Sequence, residues 1–368
     1  MTTQDTTTHD TATPCRPRAS TRVDVAILGV RVDAPVSRRA GAGPSDDGHV
    51  LLDGRAAALP IDPASPYSIS GGRLLLDGAD LGLSAEPVRR PRFYDLATAD
   101  GVPYEALARL HGRDVLATTV VQTCIRYAED HRCRFCAIEA SLAAGSTTAV
   151  KSPAQLAEVA RAAVGLDGVR QMVMTTGTTN GRDRGARHLA RCVRAVLEAV
   201  PGLPIQVQCE PPAPEDLAAI RELRDAGATA IGIHVESLDD AVRRRWMPGK
   251  ATVPLAQYEA AWDEAVRVFG ANRVSTYLLV GLGEDPDELV TGALELADRG
   301  VYPFVVPYRP LAGTLAAADG VGPPDPVVLD DVTRRVAAGL RARGMHGADQ
   351  GAGCAACGAC SALQAAGA

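Results

Sequence analysis

The chain has 368 residues, 46% hydrophobic and 22% charged, enough for one large domain with appendages or for two domains. Its net charge of −6 (38 basic against 44 acidic side chains) argues against a general nucleic-acid footprint, and no apolar run approaches membrane-spanning length. Nine cysteines in a chain of this size, several of them clustered and none preceded by a signal-peptide-like apolar stretch, point to metal binding in a reducing cytoplasm rather than to a disulfide framework.

Residues 1–22 are Thr-rich and read as a disordered tail in which Cys15 is incidental. From residue 23 to about 91, short apolar runs at 23–28, 49–52 and 73–76 are broken by Gly, Pro and Asp. Asp53-Gly54 and Asp77-Gly78 are turn signals between them, so 23–102 reads as a small β-rich appendage. A short helix over 104–111 leads out of it.

From residue 115 the texture alternates. Strand-like segments at 115–123, 171–176, 205–210, 230–236, 274–281 and 301–307 are separated by helical patterns at 152–164, 186–200, 214–226, 255–269 and 286–299. Ser152 is set to cap the first of these, with Pro153 at its first helical position. A last helix is expected at 326–343. Strand–helix repetition with short connections implies a parallel sheet of six βα units, either an open barrel or a doubly wound sheet. The core spans 103–345, and the Gly- and Ala-rich residues 346–368 read as a flexible tail carrying Cys354, Cys357 and Cys360.

Three more cysteines, Cys124, Cys133 and Cys136, fall within thirteen residues just after the first of these strands. Thiolates at this density suit an iron–sulfur cluster or zinc, and three of them leave one iron of a four-iron cluster without a protein ligand. Arg126, Arg132 and Arg134 stand beside them, either with a capacity to lower thiol pKa values or as a solvated loop face. A zinc knuckle completed by His131 is the competing reading.

The segment from His111 through Cys136, with Phe135 before the last cysteine, resembles the radical S-adenosylmethionine (radical SAM) superfamily near its biotin and lipoyl synthase branch. It looks most like a bacterial subgroup whose genes often lie beside a nitrilase gene. The eight residues between Cys124 and Cys133 depart from the superfamily's usual three-residue gap. The resemblance implies an α/β fold, a partial (β/α)6 TIM-like barrel with the N-terminal appendage and cysteine-containing tail added to it. It implies a [4Fe–4S] cluster on Cys124, Cys133 and Cys136, which reductively cleaves S-adenosylmethionine to a 5′-deoxyadenosyl radical that takes hydrogen from a small molecule.

Further positions follow the superfamily's order. Thr176 and Gly177 stand where a turn holds the methionine amino group. Glu236, ending the fourth strand, matches an acidic residue on the cofactor ribose; Glu210 ends the third strand, and either Glu also suits a helix N-terminus. His234 reads as a core residue or one that supports the site from behind, rather than as a ligand. Gly281 and Glu284 match the adenine-side motif, with Tyr277 in place of its first Gly; Glu284 is set to cap the next helix or brace the loop. Arg309, after the sixth strand, is set to meet a carboxylate or an ion-pair partner. The loop from Trp246 to Lys250 is a candidate for contacting substrate.

Cys354, Cys357 and Cys360 have ferredoxin-like spacing, but Gln364 stands where a fourth cysteine would fall. They are expected to hold a possible second iron–sulfur cluster, for sulfur insertion or electron transfer, or zinc. Cys192 and Cys209 read as buried apolar residues. The implied partners are a small-molecule substrate and a flavodoxin- or ferredoxin-like electron donor, with no nucleic acid and no membrane. The competing class is a non-catalytic metal-binding barrel.

Overall fold

Residues 18–32 and 50–367 are described in this computed structural model. Most of the expected N-terminal tail, with Cys15, and His49 of the second apolar run lie outside them. The chain's 23–28 run, expected as a strand, is instead part of a helix, Arg18–Leu28. Its apolar residues are buried on two sides. Val23 and Ile27, one turn apart, pack into the main core, while Val25 packs into the core of the N-terminal sheet. A helix buried on two faces carries an apolar run that mimics a strand.

The N-terminal sheet holds β1 (Arg31–Val32), β2 (Val50–Leu52), β3 (Arg55–Ala57), β4 (Tyr67–Ser70), β5 (Arg73–Leu76) and β6 (Ala79–Pro87), in the order β1-β4-β5-β6-β2-β3. Asp53 and Gly54 turn β2 into β3 with φ of 48° and 73°. Asp77 and Gly78 turn β5 into β6 with 49° and 86°, the positive pair a two-residue hairpin needs.

The main sheet runs β13-β12-β11-β10-β9-β8-β7. Its parallel strands are β8 (Val115–Thr119), β9 (Gln171–Thr175), β10 (Ile205–Gln208), β11 (Ala230–Gly232), β12 (Val274–Val280) and β13 (Val301–Pro307). β7 (Arg109–His111) joins antiparallel to β8, where the sequence suggested the end of a helix. That helix stops at Leu107. Helices on the outer face complete six βα units of an α/β partial barrel. Ser152 caps the helix Pro153–Asp167 through a reciprocal pair with Gln155.

Strand alternation gives the sheet two faces. Leu116, Met172 and Val207 pack outward among the helices. Val115, Ala117 and Val173 face inward and meet Cys354 and Cys357. The tail that brings these cysteines there, expected to be flexible, is folded into the barrel. Gln350 carbonyl accepts from Arg273 Nη1 (2.6 Å), Gly353 N–H donates to Gln171 Oε1 (2.8 Å) and Cys354 N–H to Gln206 Oε1 (3.2 Å). Gln171, Gln206 and Arg273 stand within one residue of the starts of their strands, so the tail closes the barrel's N-terminal mouth. Small residues allow it: Ala352 and Ala355 are buried, and a Cβ at Gly353 would lie 1.9 Å from Gln206 Oε1. Among the described residues no helix is long and apolar enough to cross a membrane.

Candidate active site

The loop after β8 carries Cys124, Cys133 and Cys136 at the C-terminal end of the sheet. Its shape comes from backbone hydrogen bonds: Tyr127 N–H to Cys124 O and Cys136 N–H to Cys133 O, both 3.0 Å. Three anchors tie it to the barrel. Cys124 N–H donates to Glu139 Oε1 (3.2 Å). Ile125 N–H donates to Thr178 O (2.9 Å), and Arg134 N–H to Trp246 O (2.7 Å). Trp246 in turn donates from Nε1 to Leu282 O (2.6 Å) and packs against Tyr308.

All three thiols are free, and Cys136 is close enough to feel the charges of both Cys124 and Cys133. Burial pushes the Cys136 thiol up to about 11 and the Cys133 thiol well above its ordinary value. The cation that opposes this is Lys250. Arg126 is engaged by both oxygens of Glu210 (3.1 and 3.2 Å), Arg132 lies over the Tyr127 ring, and Arg134 pairs with Asp319. His131 turns its Nδ1 to Asp130 (2.8 Å).

Among the described residues no three His, Cys, Asp or Glu side chains converge closely enough to hold one metal ion. Thiolates of a four-iron cluster each take a different iron and stand farther apart than ligands of a single ion. Three neighbouring soft thiols on one loop, facing a buried ammonium, fit that donor set.

Glu236 lies next to this loop and forms a buried ion pair with Lys250. It adopts φ 62°, rare for a residue with a Cβ. Backbone bonds hold it there, from its N–H to Tyr277 O (3.0 Å) and to its carbonyl from Leu279 N–H (2.8 Å). Burial lowers the Lys250 pKa, but the Glu236 carboxylate more than reverses this and keeps the ammonium charged.

Gly177 packs directly under the cysteine loop. Its N–H donates to Val121 O (2.8 Å), and a Cβ would lie 2.1 Å from Thr123 O. The Thr176 hydroxyl donates to Gly177 O (2.9 Å). Gly281, at φ 108°, lies against Pro324. Burial raises the Glu284 pKa and the adjacent Ser237 hydroxyl lowers it. Asp285, not Glu284, caps the helix Pro286–Asp298.

The second cysteine set is seated in the barrel interior. Cys354 Sγ receives hydrogen bonds from Gln208 Nε2 (3.3 Å) and from the Tyr277 hydroxyl. Burial raises all three thiols, Cys357 most clearly. Arg309 lies beside Cys360 and lowers its pKa. Tyr277, which stands for a glycine of the adenine-side motif, points inward and stacks on His234 with centroids 4.0 Å apart. His234 is therefore a wall of the interior. Period-two alternation of polar residues, Gln206 with Gln208 and Ser275 with Tyr277, was the available signal. Cys192 and Cys209 are buried, and burial pushes both thiols up to about 12.

The radical SAM superfamily family model matches residues 130–297, a span that includes Cys133 and Cys136 but not Cys124 or the C-terminal set. The bacteriochlorophyllide c C-7(1)-hydroxylase of Chlorobaculum limnaeum is 29% identical over 126 residues, 34% of this chain and 31% of that protein. The chain thus spans about a third of that relative's length. The lipoyl synthase of Halorhodospira halophila (strain DSM 244 / SL1) is 26% identical over 275 residues, 66% of this chain and 79% of that protein. Among solved structures, methylornithine synthase (PylB) aligns at 16% identity and a TM-score of 0.41, covering 61% of this chain and 64% of its own. The family match over residues 130–297 and the lipoyl synthase similarity support a place in the radical SAM superfamily.

Proposed function

We propose that this protein is a radical SAM enzyme acting on a small molecule, with a [4Fe–4S] cluster on Cys124, Cys133 and Cys136. The observation that carries the reading is the gathering of these three thiols on one loop at the C-terminal ends of the parallel strands, adjoining and partly within the segment that matches the family. When bound, such a cluster and S-adenosylmethionine supply the one-electron chemistry that removes hydrogen from an unactivated C–H bond.

The protein's own residues hold and shield that chemistry. Gly177 and Arg126 fix the cysteine loop. Lys250 offsets negative charge beneath Cys133. Thr176, Gly281 and Glu284 shape the loops over which the cofactor lies, and Glu236 and Glu210 offer carboxylates from the neighbouring strand ends. The tail keeps water from the N-terminal mouth, as a reactive carbon needs. Cys354, Cys357 and Cys360, facing the interior, are assigned a second iron–sulfur cluster, braced by Tyr277 and Arg309. It acts in sulfur insertion or in electron transfer, with the reductant a flavodoxin- or ferredoxin-like donor.

The test is anaerobic purification with iron and sulfide counts, followed by S-adenosylmethionine and dithionite. Wild type is expected to hold about eight irons, with loss of about four on replacing either cysteine set by serine. 5′-Deoxyadenosine is expected to vanish only when Cys124, Cys133 and Cys136 are replaced. Zinc without iron after reconstitution, and no cleavage, would leave the non-catalytic metal-binding barrel.

A further inference from the structure

The barrel interior contains a hydrogen-bonding group that the fold itself leaves unused. Tyr277 N–H donates to His234 Nδ1 at 3.2 Å. In a neutral imidazole an accepting Nδ1 puts the proton on Nε2. Burial, aided by Lys250, pushes the His234 pKa down to about 3, so the ring is neutral. Its Nε2 is buried and has no hydrogen-bond partner.

Gln208 stands beside it. Its amide nitrogen donates to Gln206 Oε1 (2.8 Å) and to Cys354 Sγ (3.3 Å). Those two bonds fix the orientation of the amide and leave its carbonyl oxygen to accept. Gly232 lies between the two side chains. A Cβ there would be 2.6 Å from His234 Cε1, 2.9 Å from His234 Nε2 and 3.1 Å from Gln208 Cγ, so the imidazole and the Gln208 side chain both lie against the bare Gly232 backbone.

The inward positions of β8 to β13, from Val115 to Val306, carry no formal charge. Lys250 is paired with Glu236, and Arg309 lies beside Cys360. A carboxylate arriving over Gly232 would meet no counter-charge there, and a buried unpaired charge is costly.

We infer that His234 Nε2–H and the Gln208 carbonyl oxygen, over Gly232, form a subsite for an uncharged carboxamide-like group of the substrate. The ligand C=O accepts from His234 and its N–H donates to Gln208. The inference rests on the barrel interior being the substrate chamber of the proposed enzyme.

The experiment uses full-length protein labelled with [15N]histidine, titrated with acetamide and, separately, with sodium acetate. The His234 signal is identified by its loss in His234→Asn. The expected result is a saturable shift of the His234 Nε2 resonance with acetamide, at concentrations up to roughly 100 mM for so small a fragment. Acetate is expected to give none. Gly232→Ala, which fills the point between the two groups, is expected to weaken the acetamide response about tenfold or more, and Gln208→Leu at least fivefold. An equal response to acetate, or no response of wild type to acetamide, overturns the inference. 5′-Deoxyadenosine formation in the same preparation tests the enzyme reading separately, since it does not depend on acetamide binding.

Discussion

Lys250 Nζ meets a carboxylate oxygen of Glu236 beneath Cys133, with side-chain exposures of 9% and 12%. Glu236 ends a strand-like segment, and Lys250 belongs to a short helical turn, Pro248–Ala251, that reaches back under the cysteine loop. Gly249 N–H donates to His131 O (2.9 Å), so the same turn supports the loop and supplies its cation. A Cβ at Gly249 would lie 2.5 Å from that carbonyl, which is why the turn approaches through a glycine.

Removing one partner of this pair strands the other. Lys250→Met is expected to cost about 3–5 kcal/mol, because the Glu236 carboxylate remains buried without a counter-charge. Lys250→Met combined with Glu236→Gln is expected to lose distinctly less. Urea unfolding of the three proteins decides it; equal losses in the single and double variants would show that the pair is not coupled.

Gly177→Ala tests the contact beneath the first cysteine. The added methyl group would collide with Thr123 O, one residue before Cys124, and a backbone atom yields little. A stability loss of about 1–3 kcal/mol is expected, with iron lost from the first set and retained at the second. Metal analysis of the variant with and without Cys354→Ser/Cys357→Ser/Cys360→Ser separates the two sites. Full iron at the first site would refute the assigned role.

Gly353→Ala is the complementary change. At φ 92°, with Gln206 Oε1 in the place of a side chain, the substitution displaces the tail from the N-terminal mouth. Limited proteolysis is expected to cut residues 346–367 at least tenfold faster than in wild type, and the second site is expected to lose its iron. An unchanged cleavage rate would mean that the tail is held by other contacts.

Lys151 gives a prediction about pH. It is 3% exposed, its Nζ donates to Thr118 Oγ1 (3.2 Å), and burial, with Arg109, lowers its pKa from 10.5 to about 7. Between those two values the unfolded chain binds the proton and the folded chain does not. Stability from this group therefore rises as pH climbs from about 7 to about 10, and the full penalty applies below 7. Lys151→Met is expected to be more stable than wild type by a few kcal/mol near pH 6, the difference vanishing near pH 10. Urea midpoints at the two pH values check the sign.

Much of the barrel is legible in the sequence because its signals are local. The helix Leu255–Phe269 and the last strand, Val301–Pro307, fall on their expected limits, and Ser152 caps as expected. The strand-like pattern at 230–236 outruns the strand, since after Gly232 the backbone departs toward the positive φ of Glu236. Val23, Val25 and Ile27 misled because a helix packed on two sides loses its one-sided periodicity. Tyr277 and Gln208 were missed as interior residues because their meaning depends on Cys354, which lies 77 and 146 positions away. The Ala- and Gly-rich tail misled in the same way: small residues signal flexibility in isolation and close approach in a packed interior.

The closure of the N-terminal mouth has a consequence for how the protein is made. The residues that close it, 346–367, follow every strand of the barrel in the chain. While the protein is being synthesised, the six parallel strands leave the ribosome before the segment that stoppers them. A barrel pairing at that stage is open at both ends, and whatever must be installed in its interior has a second entrance that shuts only when the last cysteines arrive.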